Sequence, residues 1–242
     1  MQKVSLFIPC LVDAIMGSVG EATARLLSRM GFALDYHEKQ TCCGGPAVSA
    51  GYQDLARAAA KHFITIFEKD AVIVSPSGSC VNTVRHDYPR LLADEPAWEE
   101  RARALAERVY ELSQFLVDVA GIEDVNARYN GKIAYHNSCH VLRHLGVEQQ
   151  PLRLLRKVRG AELVNLNKDK MCCGFGGQFA IKYPYLSSVI VADKVRNFIN
   201  SGAEVMVLSD PGCLLNLRGY LHRHHPQSSV QHLAEFLAAN MV

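Results

Sequence analysis

No two cysteines in this chain form a C-x-x-C pair, although eight are spread over its 242 residues. That absence removes the paired knuckle from which most structural zinc sites are built. Long apolar runs are missing too: no stretch could cross a bilayer, and the apolar run near the N-terminus is too short for a signal peptide. A cytoplasmic protein is expected. An excess of one charge is also lacking. The 26 basic and 24 acidic side chains leave a net charge of +2, with no basic stripe for nucleic acid and no polybasic membrane patch. A chain of this length buries roughly 70% of its unfolded surface, so neither metal nor disulfide is needed merely to supply a core. In a reducing compartment thiols stay free or bind metal, which disfavours a disulfide framework. Disulfides between neighbours at Cys42-Cys43 or Cys172-Cys173 would be strained products of oxidation.

What is present is a duplication. Cys-Cys-Gly occurs at Cys42-Cys43-Gly44 and again at Cys172-Cys173-Gly174, each copy between two further cysteines. Cys10, Cys42, Cys43 and Cys80 form one set; Cys139, Cys172, Cys173 and Cys213 form the other, offset by 129 to 133 positions. Other segments repeat in register: Gly31 to His37 with Gly160 to Leu166, Val72 to Ser75 with Val205 to Leu208, and Val109 to Leu116 with Val230 to Leu237, the last read as a closing helix in each half. The implied organisation is a first domain over 1–120, a polar, glycine-bounded linker over 121–131 and a second domain over 132–242.

Short β-branched runs at Ser5 to Pro9, Ala33 to His37 and Val72 to Ser75, and at Ile133 to His136, Leu163 to Leu166 and Val205 to Leu208, read as buried strands. Between them, Ile15, Val19, Ala22, Leu26 and Met30, then Leu55, Ala59, Phe63 and Ile66, recur at helical spacing. Strands alternating with helices predict an α/β fold of two pseudo-symmetric repeats, each a mostly parallel sheet flanked by helices. One continuous sheet through both halves is the alternative.

Every cysteine group follows a predicted strand, so the sulfurs gather at the carboxyl edge of each sheet, where open α/β folds bind ligands. Each also lies at or near a predicted helix start, which favours thiolate. Gly44-Gly45 and Gly174-Phe175-Gly176-Gly177 let the backbone turn and aim N–H groups at sulfur. Separated loops rich in thiolate suit iron–sulfur chemistry better than mononuclear zinc, which remains the alternative.

The segments Phe7-Ile8-Pro9-Cys10, Thr41-Cys42-Cys43-Gly44-Gly45-Pro46, Tyr135-His136-Asn137-Ser138-Cys139-His140 and Met171-Cys172-Cys173-Gly174-Phe175-Gly176-Gly177 resemble the cysteine-rich CCG-domain proteins over nearly the whole length. These include a cysteine-rich component of heterodisulfide reductase and the glycolate oxidase iron–sulfur subunit; the short, two-domain lactate-utilisation type is most similar. The resemblance implies up to two iron–sulfur clusters held by the eight cysteines, electron transfer in a lactate-oxidising complex, and partner subunits. The family pattern ends in C-x-x-C, whereas this chain has Ser77 before Cys80 and Asp210 before Cys213. Four thiolates per site point to [4Fe-4S], with Ser77 or Asp210 as an oxygen neighbour or ligand. A heterodisulfide-reductase-like thiol/disulfide function and a zinc-stabilised, non-enzymatic binding module are the other readings.

His136 and His140 flank Cys139, with His144 a turn beyond; hydrogen-bonded scaffolding is the commoner role for such histidines, and a place beside a cofactor is the rarer one. His222, His224 and His225 read as a solvated helix end. Gly174 to Phe179 lacks the third glycine of a dinucleotide loop, so nicotinamide binding is rejected. Asp94 to Arg108, with Trp98, reads as a solvent-facing helix, with partner docking as the lesser alternative.

Overall fold

The computed structural model describes residues 2–242 and divides into two compact units, with the boundary between Leu112 and Ser113. Each unit is an α/β layer built on a four-stranded, all-parallel sheet. In the first, β1 (Lys3–Leu6), β2 (Ala33–Tyr36), β3 (Ile73–Ser75) and β4 (Val109–Glu111) lie in the order β2-β1-β3-β4. In the second, β5 (Arg128–Tyr135), β6 (Arg159–Val164), β7 (Val205–Leu208) and β8 (Ser229–His232) repeat it as β6-β5-β7-β8. The two sheets are separate, as the reading of two repeats expected, and the alternative of one continuous sheet does not hold.

The central strands are the most apolar because helices cover both of their faces. Ile73, Val74 and all four residues of β7 are buried. Helices Gly17–Arg29 and Gln53–Phe67 cover the first sheet, burying Leu26, Leu27, Phe63, Ile64 and Phe67. The rings of Phe7, Phe63 and Phe67 interlock there, Phe7 meeting Phe63 edge-on at 4.7 Å. In the second unit Val195, Phe198 and Leu217 take the same part.

Three details differ from the sequence expectation. The segments at Val109 and Val230, expected to open closing helices, begin instead as strands β4 and β8, and helix follows without a turn residue between. In the second unit that helix, Leu233–Asn240, starts with a capping box: His232 Nδ1 accepts the Ala234 N–H, and Glu235 accepts the His232 N–H. The inward face of Gln53–Phe67 carries Ala56 and Ala60, not Leu55, which is 65% exposed. Ile15, expected inside, is also exposed. The charged stretch around Trp98 forms helix Pro96–Ala106, with Arg101 over the indole ring at 4.0 Å. No helix among the described residues is long and apolar enough to cross a membrane.

Candidate metal centres

A β2-β1-β3 order places a topological switch between β1 and β3, because the chain leaves β1 towards one neighbour and returns on its other side. The first cysteine set sits at that crevice. Cys10 begins helix Cys10–Ile15 directly beyond β1, Cys42 and Cys43 follow β2, and Cys80 lies in the first turn of Gly78–Asn82 beyond β3. Cys10 Sγ is 3.5 Å from Cys42 Sγ, and the Cys43 thiol hydrogen-bonds with Cys42 and Cys80. Four sulfurs separated by up to 70 residues are thus in mutual reach.

Local backbone chemistry holds them. Gly44 has φ +80°, a conformation that side-chain-bearing residues rarely adopt, and it turns the Gly44 and Gly45 N–H groups onto Cys42 and Cys43 sulfur at 3.4 Å each. The buried Tyr88 hydroxyl donates to the Cys43 carbonyl at 2.8 Å. Gln40 ties the loop to the sheet: its Oε1 accepts the Ile8 N–H at 2.8 Å and its Nε2 donates to the Leu6 carbonyl at 3.2 Å. Ser77 is the helix N-cap, its hydroxyl accepting the Cys80 N–H at 3.4 Å.

The second set repeats this plan. Cys139 follows β5, Cys172 and Cys173 follow β6, and Cys213 lies in the first turn of Pro211–His224 beyond β7. Cys173 and Cys213 sulfurs stand 3.0 Å apart, and Cys139 hydrogen-bonds with Cys172. Gly174, at φ +83°, donates its N–H to Cys172 sulfur at 3.3 Å, while Asn216 Nδ2 donates to the Cys173 carbonyl at 2.8 Å. Asp210 is the N-cap here, its Oδ1 accepting the N–H groups of Gly212 at 3.0 Å and Cys213 at 3.4 Å. Asn137 Nδ2 reaches Asp169 at 3.1 Å, binding the β5 end to the Cys172 loop as Gln40 does in the first unit.

Each set concentrates negative charge on one sulfur. The Cys10 thiol, then the Cys43 thiol, donate to Cys42 and outweigh its burial, with help from the Gly44 N–H; together they lower the Cys42 pKa to about 2. Cys172 is lowered to about 2 by Cys139, Cys173 and Gly174 in the same manner. The donors pay the converse cost: Cys10 and Cys139 are pushed well up by sharing their protons and by burial, as are Cys43 and Cys173. A bound cation would replace those shared protons, since thiolate, not thiol, is the ligand. All eight cysteines are free thiols. Four soft donors at one sheet edge, with N–H groups already directed at sulfur, fit either an iron–sulfur centre or a zinc ion.

The surroundings of the two sets differ. Where the first unit has Phe7 at the end of β1, the second has His136 at the end of β5, fully buried and with both ring nitrogens lacking a hydrogen-bond partner among the described residues. Burial, followed by the positive charge of Lys194, lowers its pKa to about 3. Lys194 is itself buried on helix Pro184–Asn200, donating to the Asp169 carbonyl at 2.7 Å; desolvation lowers its pKa to about 8. His140 points the other way, exposed and stacked on His144 at 5.2 Å. His222, His224 and His225 lie at the far end of the helix that starts near Cys213. Sequence reasoning missed Tyr88, Gln40 and Lys194. Only Lys194 carried a signal, a lysine on the apolar face between Val191, Val195 and Phe198.

The cysteine-rich domain model named CCG matches residues 4–85 and 133–218, one copy in each unit. The chain belongs to the CCG cysteine-rich domain family. It is 46% identical to the Lactate utilization protein A of Halalkalibacterium halodurans, over 97% of this chain and 96% of that one. It is 45% identical to that of Geobacillus sp. (strain WCH70) and 44% identical to that of Bacillus subtilis (strain 168), in both cases over 97% of this chain and 98% of the relative. Among solved structures, a hypothetical protein from Helicobacter pylori superposes with a TM-score of 0.69 at 10% identity, over 99% of this chain and 49% of that chain. The chain therefore spans about half of that structure's length, and the likeness is one of fold.

Proposed function

We propose that the chain is an electron-transfer subunit of a lactate-oxidising complex and that each unit holds one iron–sulfur centre of the [4Fe-4S] type. Cys10, Cys42, Cys43 and Cys80 would hold one, and Cys139, Cys172, Cys173 and Cys213 the other. The observation that carries this reading is the convergence of four cysteine sulfurs from three strand ends, twice, with backbone N–H groups directed at them. A bound centre supplies reversible one-electron storage.

The chain's own residues bind and tune. The Gly44, Gly45 and Gly174 N–H groups stabilise anionic sulfur. Burial of Cys43, Cys173 and Cys213 keeps water from one side of each set, while Cys10 is exposed, leaving a short path to solvent or a partner. Lactate enters through the relatives, whose name speaks of its utilisation. Other subunits would supply the oxidation site. Consistent with docking, Tyr52 and Leu55 beyond the first Cys-Cys-Gly, and Tyr183 and Leu186 beyond the second, are at least half exposed. A cytoplasmic location fits this role.

Anaerobic purification of the full chain with iron, sulfide and zinc analysis and low-temperature EPR tests the reading. Iron and acid-labile sulfide in equal amounts, with a reducible EPR signal, are expected. Stoichiometric zinc without sulfide would overturn it.

A further inference from the structure

We propose that His136 is a nitrogen ligand of the metal centre in the second unit, which makes that centre chemically different from its counterpart in the first. The inference rests on the reading that the cysteine sets hold metal. His136 is wholly inaccessible, and neither Nδ1 nor Nε2 has a hydrogen-bond partner among the described residues. Buried polar atoms are nearly always satisfied, and an exception calls for a cause. A scaffolding histidine would use at least one nitrogen.

The geometry supplies the cause. A donor nitrogen of His136 and the sulfurs of Cys173 and Cys213 all lie within 4.8 Å of one another, and all three residues are buried. The backbone N–H of His136 donates to the Val207 carbonyl at 2.9 Å, which pins the residue to the end of β5 beside β7, the strand that leads to Cys213. Imidazole is a borderline ligand that binds zinc and iron alike and takes its place among thiolates without added charge.

The first unit offers the internal comparison. Phe7 holds the matching position before Cys10, is equally buried, and packs on Phe63 and Phe67. The space therefore accepts an aromatic hydrocarbon, and a histidine in it is not needed to fill volume. Where the His136 nitrogen takes the place of one of the four thiolates named above, the centre loses a negative charge and its potential rises. The ammonium of Lys194, buried on the neighbouring helix, acts in the same direction. The second centre is accordingly the more easily reduced of the two.

The test uses the full chain, reconstituted anaerobically with iron and sulfide, with Cys42 and Cys43 replaced by serine so that only the second centre contributes. Pulsed EPR on the reduced protein, prepared with either natural or 15N-labelled histidine, should give a directly bound nitrogen coupling that changes with the isotope. His136→Phe should abolish that coupling and lower the reduction potential. The labelled protein carrying the native histidine decides the matter even if that variant folds poorly. An EPR-active second centre without histidine nitrogen coupling would overturn this inference alone. Failure of both cysteine sets in the otherwise unsubstituted chain to take up iron and sulfide would instead overturn the preceding proposal and this one with it.

Discussion

The carboxylate of Asp210 accepts the backbone N–H of Cys213 at 3.4 Å, holding the start of helix Pro211–His224 beneath the cysteine it delivers. Ser77 bears the same relation to Cys80 at the same distance. Asp210→Ala leaves two N–H groups without this acceptor and should cost about 1 kcal/mol of stability, as loss of a helix cap typically does. Asp210→Ser, which writes the first unit's cap into the second, should restore most of it. Urea unfolding of the three proteins checks this. Equal midpoints for the alanine variant and the parent would refute the capping role.

Tyr88 provides a second test, because its hydroxyl is the donor that fixes the Cys43 carbonyl. Tyr88→Phe removes it and strands a buried acceptor, at a cost of about 1–3 kcal/mol. Metal bound by the first set should also be lost to a chelator faster, while the second set is unaffected. Unchanged release from the first set would show that this contact does not position Cys43.

Gly174 and Gly202 separate backbone strain from steric overlap. Both have positive φ, +83° and +72°, but a Cβ at Gly174 would meet the Ser187 carbonyl oxygen at 2.8 Å, whereas nothing lies within 4 Å at Gly202. Gly202→Ala should cost about 1–2 kcal/mol from left-handed strain alone. Gly174→Ala should cost more and also weaken metal binding at the second set. Thermal denaturation together with metal analysis reads both effects.

Each sulfur set is drawn from one unit only. Cys172→Ser should therefore reduce the iron content by about half and leave the first centre's EPR signal intact, a division expected of separate sites. Loss of both signals would show a single shared site.

The repeat, the parallel sheets and the gathering of cysteines at strand ends were legible because each rests on spacing, which sequence displays directly. Strands β4 and β8 were hidden because Val109-Tyr110-Glu111 and Ser229 to His232 run straight into helix, with no glycine or proline to mark the change. The inward face of Gln53–Phe67 was misread around Leu55. The Cys-Cys-Gly loop backs onto that helix so closely that a Cβ on Gly44 would stand 3.0 Å from Ala59 Cβ, and only small residues fit there. Hydrophobicity alone favours the larger side chain and cannot see the loop. Position beside Cys139 likewise marked His136 and His140 equally, although one turns inward to the sulfurs and the other outward to water.

Cys10 is the one exposed thiol of the eight, and it belongs to a set whose remaining sulfurs are covered to varying degrees. Air and alkylating reagents arriving from bulk water meet that atom first. Damage to the first unit therefore begins at its outer lip, and a docked neighbour that shields Cys10 would act as a stopper as well as a conduit.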